Sequence, residues 1–174
     1  MASTDALHAR LTELRRGFDH GFSLPAAEEV DDLLDLLLVR IGREPYALRL
    51  AQLGALEADR TITPVPSENA ELLGIAGVRG TVVAVFDLAS LLGSPRPEST
   101  RWIVLAKGAP LAFAFNVFEG QLGVRPDTIA SAGVGRGALV PEVVMKDGAH
   151  VPLLDVPALV TSLEGRARRL VGEG

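Results

Sequence analysis

The 174-residue sequence contains no cysteine. Disulfide scaffolds, thiolate zinc sites and cysteine nucleophiles are therefore excluded. Positive charge is also scarce: 17 Lys and Arg against 22 Asp and Glu leave a formal charge of −5. A general nucleic-acid binder needs a basic face to displace counterions, so that class is set aside. No apolar run reaches the ~20 residues of a transmembrane helix, and the opening MASTDALHAR lacks the apolar core of a secretion signal. These absences predict a cytoplasmic chain without direct membrane insertion. The three histidines, His8, His20 and His150, are scattered and lack the helical two-ligand spacing of a metal site. No serine sits in a G-x-S-x-G context and no GxGxxG follows a strand. With no catalytic constellation, metal set or cofactor motif, the chain reads as a binding module and not as an enzyme.

What is present points to a folded domain. Hydrophobic residues make up 48% and charged residues 22%, which rules out a disordered polar chain. Eighteen glycines and eleven prolines imply many short elements joined by tight turns, which favours β structure. The length suits one substantial domain or two small units sharing a core.

The chain is organised around Gly74–Gly93, GIAGVRGTVVAVFDLASLLG. Gly74, Gly77, Arg79 and Gly80 read as a glycine-punctuated turn carrying one arginine. Val82–Phe86 is short, bounded and β-branched, so it reads as a strand buried on both faces. Asp87 falls where strand becomes helix and is placed to cap the first turn of Leu88–Leu92. Arg79 is the sharpest candidate for partner contact, because a guanidinium is a planar fork suited to carboxylates. The alternative is an internal bridge to Glu57 or Asp87.

This stretch resembles the central motif of the CheW-like domain, the coupling module of bacterial chemosensory arrays. Its pattern reads roughly G-φ-x-N-L-R-G-x-φ-φ-P-φ-φ-D-L. Gly74, Arg79, Gly80, Asp87 and Leu88 match. Gly77 stands in place of the asparagine and Ala84 in place of the proline. Phe115-Asn116-Val117-Phe118 occupies the place of a V-D-x-V element, with an amide for the carboxylate. The resemblance runs from about Leu36 to about Val160.

The rest of the chain is read in order. Residues 1–32 are expected to form an N-terminal helix, with Leu7, Leu11, Leu14 and Phe18 on one face, followed by an acidic linker. The helix either packs on its own domain or serves as an arm for a partner or a second copy. Leu36–Ile41 and Tyr46–Leu50 read as a hairpin, and Ala51–Ala58 continues with Leu53 and Leu56 at helical spacing. Arg101–Ala106 and Leu111–Phe115 are strands, and Gly133–Gly137 is a surface loop. Val143–Val151 is a hairpin turning at Asp147–Gly148. His150–Val160 repeats the pattern of an apolar strand, an aspartate (Asp155) and a helix seen in Val82–Leu92, so the two halves are expected to be built alike. Pro157 suits a helix start, and the chain ends in a helix over 158–171.

The resemblance implies a mainly β fold: two five-stranded SH3-like β-barrels around a shared core, with an N-terminal helix and short peripheral helices, the CheW-like domain occupying 33–174. It implies a non-catalytic adaptor without cofactors that couples a methyl-accepting chemoreceptor's cytoplasmic tip to the regulatory domain of a CheA-type histidine kinase. The expected contact residues are Gly77, Val78, Arg79 and Gly80, with Asp87 and Asp155 as helix caps and self-association through the N-terminal helix as a further option. Three alternatives stay open. One is a divergent member that binds only one of these partners, and a second is a detached regulatory domain that no longer binds the kinase. The third is a small β-barrel ligand-binding or enzymatic domain using Asp87 and Asp155 together, which requires both carboxylates in one deep polar pocket.

Overall fold

Strand alternation decides where each side chain goes. In β1 (Leu34–Ile41), Leu36 and Leu38 turn to one side and Leu37 and Val39 to the other, and all four are buried. A strand buried on both faces needs a core on each side, and the whole fold follows from that requirement. It is described here from a computed structural model covering residues 33–133 and 137–172, with side chains as far as Gly165. The expected N-terminal helix and acidic linker of residues 1–32 lie outside the described residues, as does the centre of the Gly133–Gly137 loop.

The strands are β1, β2 (Glu44–Arg49), β3 (Leu53–Ala58), β4 (Leu72–Val78), β5 (Thr81–Asp87), β6 (Trp102–Ala106), β7 (Leu111–Phe115), β8 (Val117–Val124), β9 (Ile129–Ser131), β10 (Glu142–Lys146) and β11 (Ala149–Leu154). A four-residue helix, α1 (Leu88–Leu91), follows β5, and α2 (Val156–Gly172) follows β11. The strands form two sheets, in the orders β8-β1-β2-β11-β10-β9 and β3-β6-β7-β5-β4.

Each order closes on itself. In the first, the outer strands β8 and β9 are joined by Arg125 and a 3₁₀ turn at Pro126–Thr128. In the second, the chain beyond β3 returns to β4, where Thr63 and Ile75 exchange backbone hydrogen bonds of 2.8 and 2.9 Å. The two barrels are therefore built alike. Each contains one parallel pair, β2–β11 or β5–β7, and the second-formed strand of the matching hairpin runs into an aspartate and a helix. The Thr63 bridge takes the place that β9 holds in the first barrel. The expected five strands per barrel are present, and β9 adds a sixth to the first.

Three cores result. Leu36, Leu38, Ala47, Val144, Val151 and Leu153 fill the first barrel. Ala76, Val78, Val83, Val85, Ile103 and Ala112 fill the second. The other faces meet in a shared core that includes Leu37, Val39 and Leu48 from one barrel, Phe86, Val104 and Phe113 from the other, and Leu88 and Leu159 from the helices.

Three local expectations are corrected. The turn expected over Gly74–Gly80 is only Arg79–Gly80, because Gly74 and Gly77 lie inside β4. The segment Ala51–Ala58, read with helical spacing, is the end of a 3₁₀ turn at Leu50–Gln52 followed by strand β3. Val82, expected to be buried, is 64% exposed, since β5 meets β7 only from Ala84 onward.

Candidate functional site

The β4–β5 hairpin carries most of the residues singled out in the sequence. Val78 pairs with Thr81, which leaves Arg79 and Gly80 as a two-residue turn with φ of 49° and 81°. Such turns need positive φ at both positions, where Asn, Asp and Gly are favoured. Among the described residues three non-glycines adopt positive φ: Asp59, Arg79 and Asp147. Aspartate tolerates this region through its short polar side chain, and arginine has no such excuse.

The side chain is nonetheless displayed. Arg79 is 68% exposed, with its Nε 3.5 Å from Glu57 Oε1 on β3. Glu57 also accepts a 3.0 Å bond from Arg60. β3 and β4 are the two outermost strands of their sheet, so the Arg79–Glu57 pair spans the barrel seam. Arg60 in the first place holds the Glu57 carboxyl below the ordinary carboxylate value, desolvation pushes the other way, and Arg79 adds a further, smaller lowering. The internal bridge weighed for Arg79 therefore exists, to Glu57, alongside an exposed guanidinium. Gly77 and Gly80 are exposed with it, whereas Val78 is 1% exposed and points into the barrel, out of a partner's reach. Beside Arg79 the outer face of the hairpin shows Ile75 and Val82, both exposed.

Asp87 and Asp155 sit at the starts of different helices. Asp87 Oδ2 accepts the Ser90 N–H at 2.9 Å and also the Ser90 hydroxyl. Asp87 is fully buried, and its Oδ1 has no partner among the described residues. Asp155 Oδ1 accepts the Ala158 N–H at 3.3 Å. Two surface cavities, of about 400 and 260 Å³, lie where the barrels adjoin, and neither is lined by Asp87 or Asp155. The first runs along α2 opposite the Lys107–Ala109 turn, with Val156 and Val160 on its floor and Lys107 and Glu164 on its rim. Gln52 braces it: its Oε1 accepts the Val156 N–H at 3.3 Å, while its carbonyl accepts the Lys107 N–H at 2.9 Å. Among the described residues no cluster of three or more His, Asp or Glu lies close enough to hold a metal ion, and His150 is exposed alone on β11.

A feature that sequence reasoning missed is the meeting of Trp102 on β6 with Phe118 on β8, ring centroids 5.3 Å apart, both packed partly buried against the shared core. Arg101 lies over Trp102 at 5.6 Å. An isolated tryptophan and an F-x-x-F run both register in the sequence, but their contact depends on a pairing of barrels that no local pattern reveals. The motif departures also gain a structural meaning. A Cβ at Gly77 would meet nothing within 4 Å, so packing does not demand glycine there. Ala84 donates its N–H to the Pro110 carbonyl at 3.0 Å, a bond a proline could not make. Asn116 is exposed between β7 and β8.

Comparison with known proteins bears on the same region. A family model, the CheW-like domain, matches residues 35–164. Among solved structures, the scaffolding protein TtCheW from Thermoanaerobacter tengcongensis is similar at 19% identity, with a TM-score of 0.64 over 71% of this chain and 89% of that one. At that identity the likeness speaks for the fold. No curated protein sequence matches.

Proposed function

The chain belongs to the CheW-like domain family, and on that premise we propose that it is a non-catalytic chemosensory adaptor. It couples methyl-accepting chemoreceptors to a CheA-type histidine kinase and works through geometry without a covalent step. The β4–β5 hairpin offers the exposed Arg79 together with Gly77 and Gly80 to the kinase regulatory domain. The crevice between barrels takes receptor helices by helix-in-groove contact.

One observation carries the reading: an arginine held at positive φ with most of its side chain in solvent. A backbone outlier of this kind costs about 1–3 kcal/mol, persists only where the surrounding structure over-determines it, and clusters at functional sites. Among the described residues Glu57 is the one ion-pair partner of the guanidinium, met through Nε, and the exposed fork suits a carboxylate. The second reading, a member that binds only one partner, rests on the departures at Gly77, Ala84 and Asn116, of which Gly77 and Asn116 are exposed.

The test measures binding of the protein to its cognate kinase regulatory domain and, separately, to a receptor cytoplasmic fragment, each repeated with Arg79→Ala. Binding to both, weakened about tenfold or more at one of them by the substitution, supports the bridging adaptor. Binding to the receptor alone selects the second reading. Binding to neither overturns the adaptor.

A further inference from the structure

The connector between α1 and β6 is anchored at its ends by backbone bonds: Gly93 N–H to Ser90 O and Ser94 N–H to Ala89 O at one end, Arg101 N–H to Phe115 O at the other. Among the described residues, no residue from Pro95 to Thr100 makes a backbone hydrogen bond. Its one described tether is a side chain. Arg96 donates to the Ala70 carbonyl, and its Nε stands 3.8 Å from Asp87 Oδ2. Asp87 is fully buried while Arg96 is about half exposed. Burying a carboxylate is costly unless it is paired; among the described residues Arg96, near Oδ2, is the only ion-pair partner of Asp87, while Oδ1 has no hydrogen-bond partner. Pro95 and Pro97 flank Arg96, so its backbone is held extended before the side chain is placed.

We infer that residues 94–100 form a strap closed by a single latch, Arg96. The latch ties together the turn before β4 (Ala70), the end of β5 (Asp87) and the connector. When it opens, the strap swings free between its two backbone anchors and the base of the β4–β5 hairpin loses its cover. The strap is thus a conformational device independent of the adaptor reading.

Limited proteolysis with a nonspecific protease, read by mass spectrometry, tests it on the full chain. Cleavage within 94–100 tracks the open population when opening is fast. Arg96→Gln removes a charge-assisted contact and is expected to raise that cleavage about tenfold, with the circular dichroism spectrum unchanged. Asp87→Asn removes the ion pair and leaves the Arg96–Ala70 contact, so it should raise cleavage less than Arg96→Gln, and the double variant should match Arg96→Gln, because the ion pair is already lost there. Arg96→Lys, which keeps the charge, should fall between wild type and Arg96→Gln. Wild-type cleavage in Arg96→Gln, or additive effects in the double variant, overturns the inference. If Arg96→Gln fails to fold, Arg96→Lys and the double variant decide, since the latter leaves no buried charge unpaired.

Discussion

Single residues set the seam of the second barrel. Gly74 lies in β4 with φ of 146°, and a Cβ built there would stand 2.1 Å from the Thr63 carbonyl oxygen. The backbone bridge between Thr63 and Ile75 exists only because nothing projects from Gly74. Gly74→Ala should destabilise by about 1–3 kcal/mol from the backbone alone, with the clash in addition, while Gly77→Ala, inside β4 with open space around it, should be neutral or stabilise by up to about 1 kcal/mol. Urea unfolding of the two variants decides this. Across the same seam, Glu57 has a lowered folded-state pKa. A carboxyl depressed in this way contributes stability above its unfolded value, and the contribution is lost as pH falls through the lower folded value. It is thus complete at neutral pH and fades in acid. Since Arg60 is the larger cause, an NMR titration should show Glu57 rising further toward the ordinary value in Arg60→Gln than in Arg79→Gln. At Arg79 itself, asparagine relieves the φ strain, so Arg79→Asn should stabilise by up to about 1 kcal/mol while weakening partner binding. Loss of both stability and binding would contradict a strained residue kept for display.

At the scale of elements, the two strand–aspartate–helix units respond differently to the same change. Asp87 caps a four-residue helix through both the amide and the hydroxyl of Ser90, whereas Asp155 reaches one amide at 3.3 Å at the head of a 17-residue helix. Asp87→Ala should cost about 1–2 kcal/mol and Asp155→Ala less. A larger loss at Asp155, measured by denaturant midpoint, would show that capping is not what these aspartates share. Much of this was legible in the sequence, for local reasons. Asp147–Gly148 announces its hairpin because only such residues accept positive φ in succession, and Asp87 announces its helix because a carboxylate before an apolar run satisfies orphan amides. The extent of β4 was not legible: its glycines mimic a turn, and only the approach of Thr63 from outside the motif explains Gly74 as a strand residue. β3 was misread because Leu53 and Leu56 satisfy a helical period by accident while pairing with β6 decides the outcome. Within the candidate site, the exposed position of Arg79 in a tight turn was legible, but the burial of Val78 was not, because it depends on the strand phase that places its side chain inside the barrel.

For the whole molecule, the shared core outweighs either barrel's own filling as a determinant of cooperativity. Phe113 is fully buried in it, with Val39 and Leu48 of the first barrel in the same cluster. Phe113→Ala should cost about 3–5 kcal/mol. Amide exchange should rise in β1 and β2 of the first barrel as well as in β6 and β7 of the second; protection lost in the second barrel alone would mean that the barrels unfold separately. The strand order carries a last consequence, for the timing of synthesis. All strands of the second barrel lie between residues 53 and 115, a continuous stretch that can close as it leaves the ribosome. The first barrel takes β1 and β2 from before that stretch and β8 to β11 from after it. Its opening hairpin must therefore wait, apolar on both faces and half paired, until the last strand of the chain has been made.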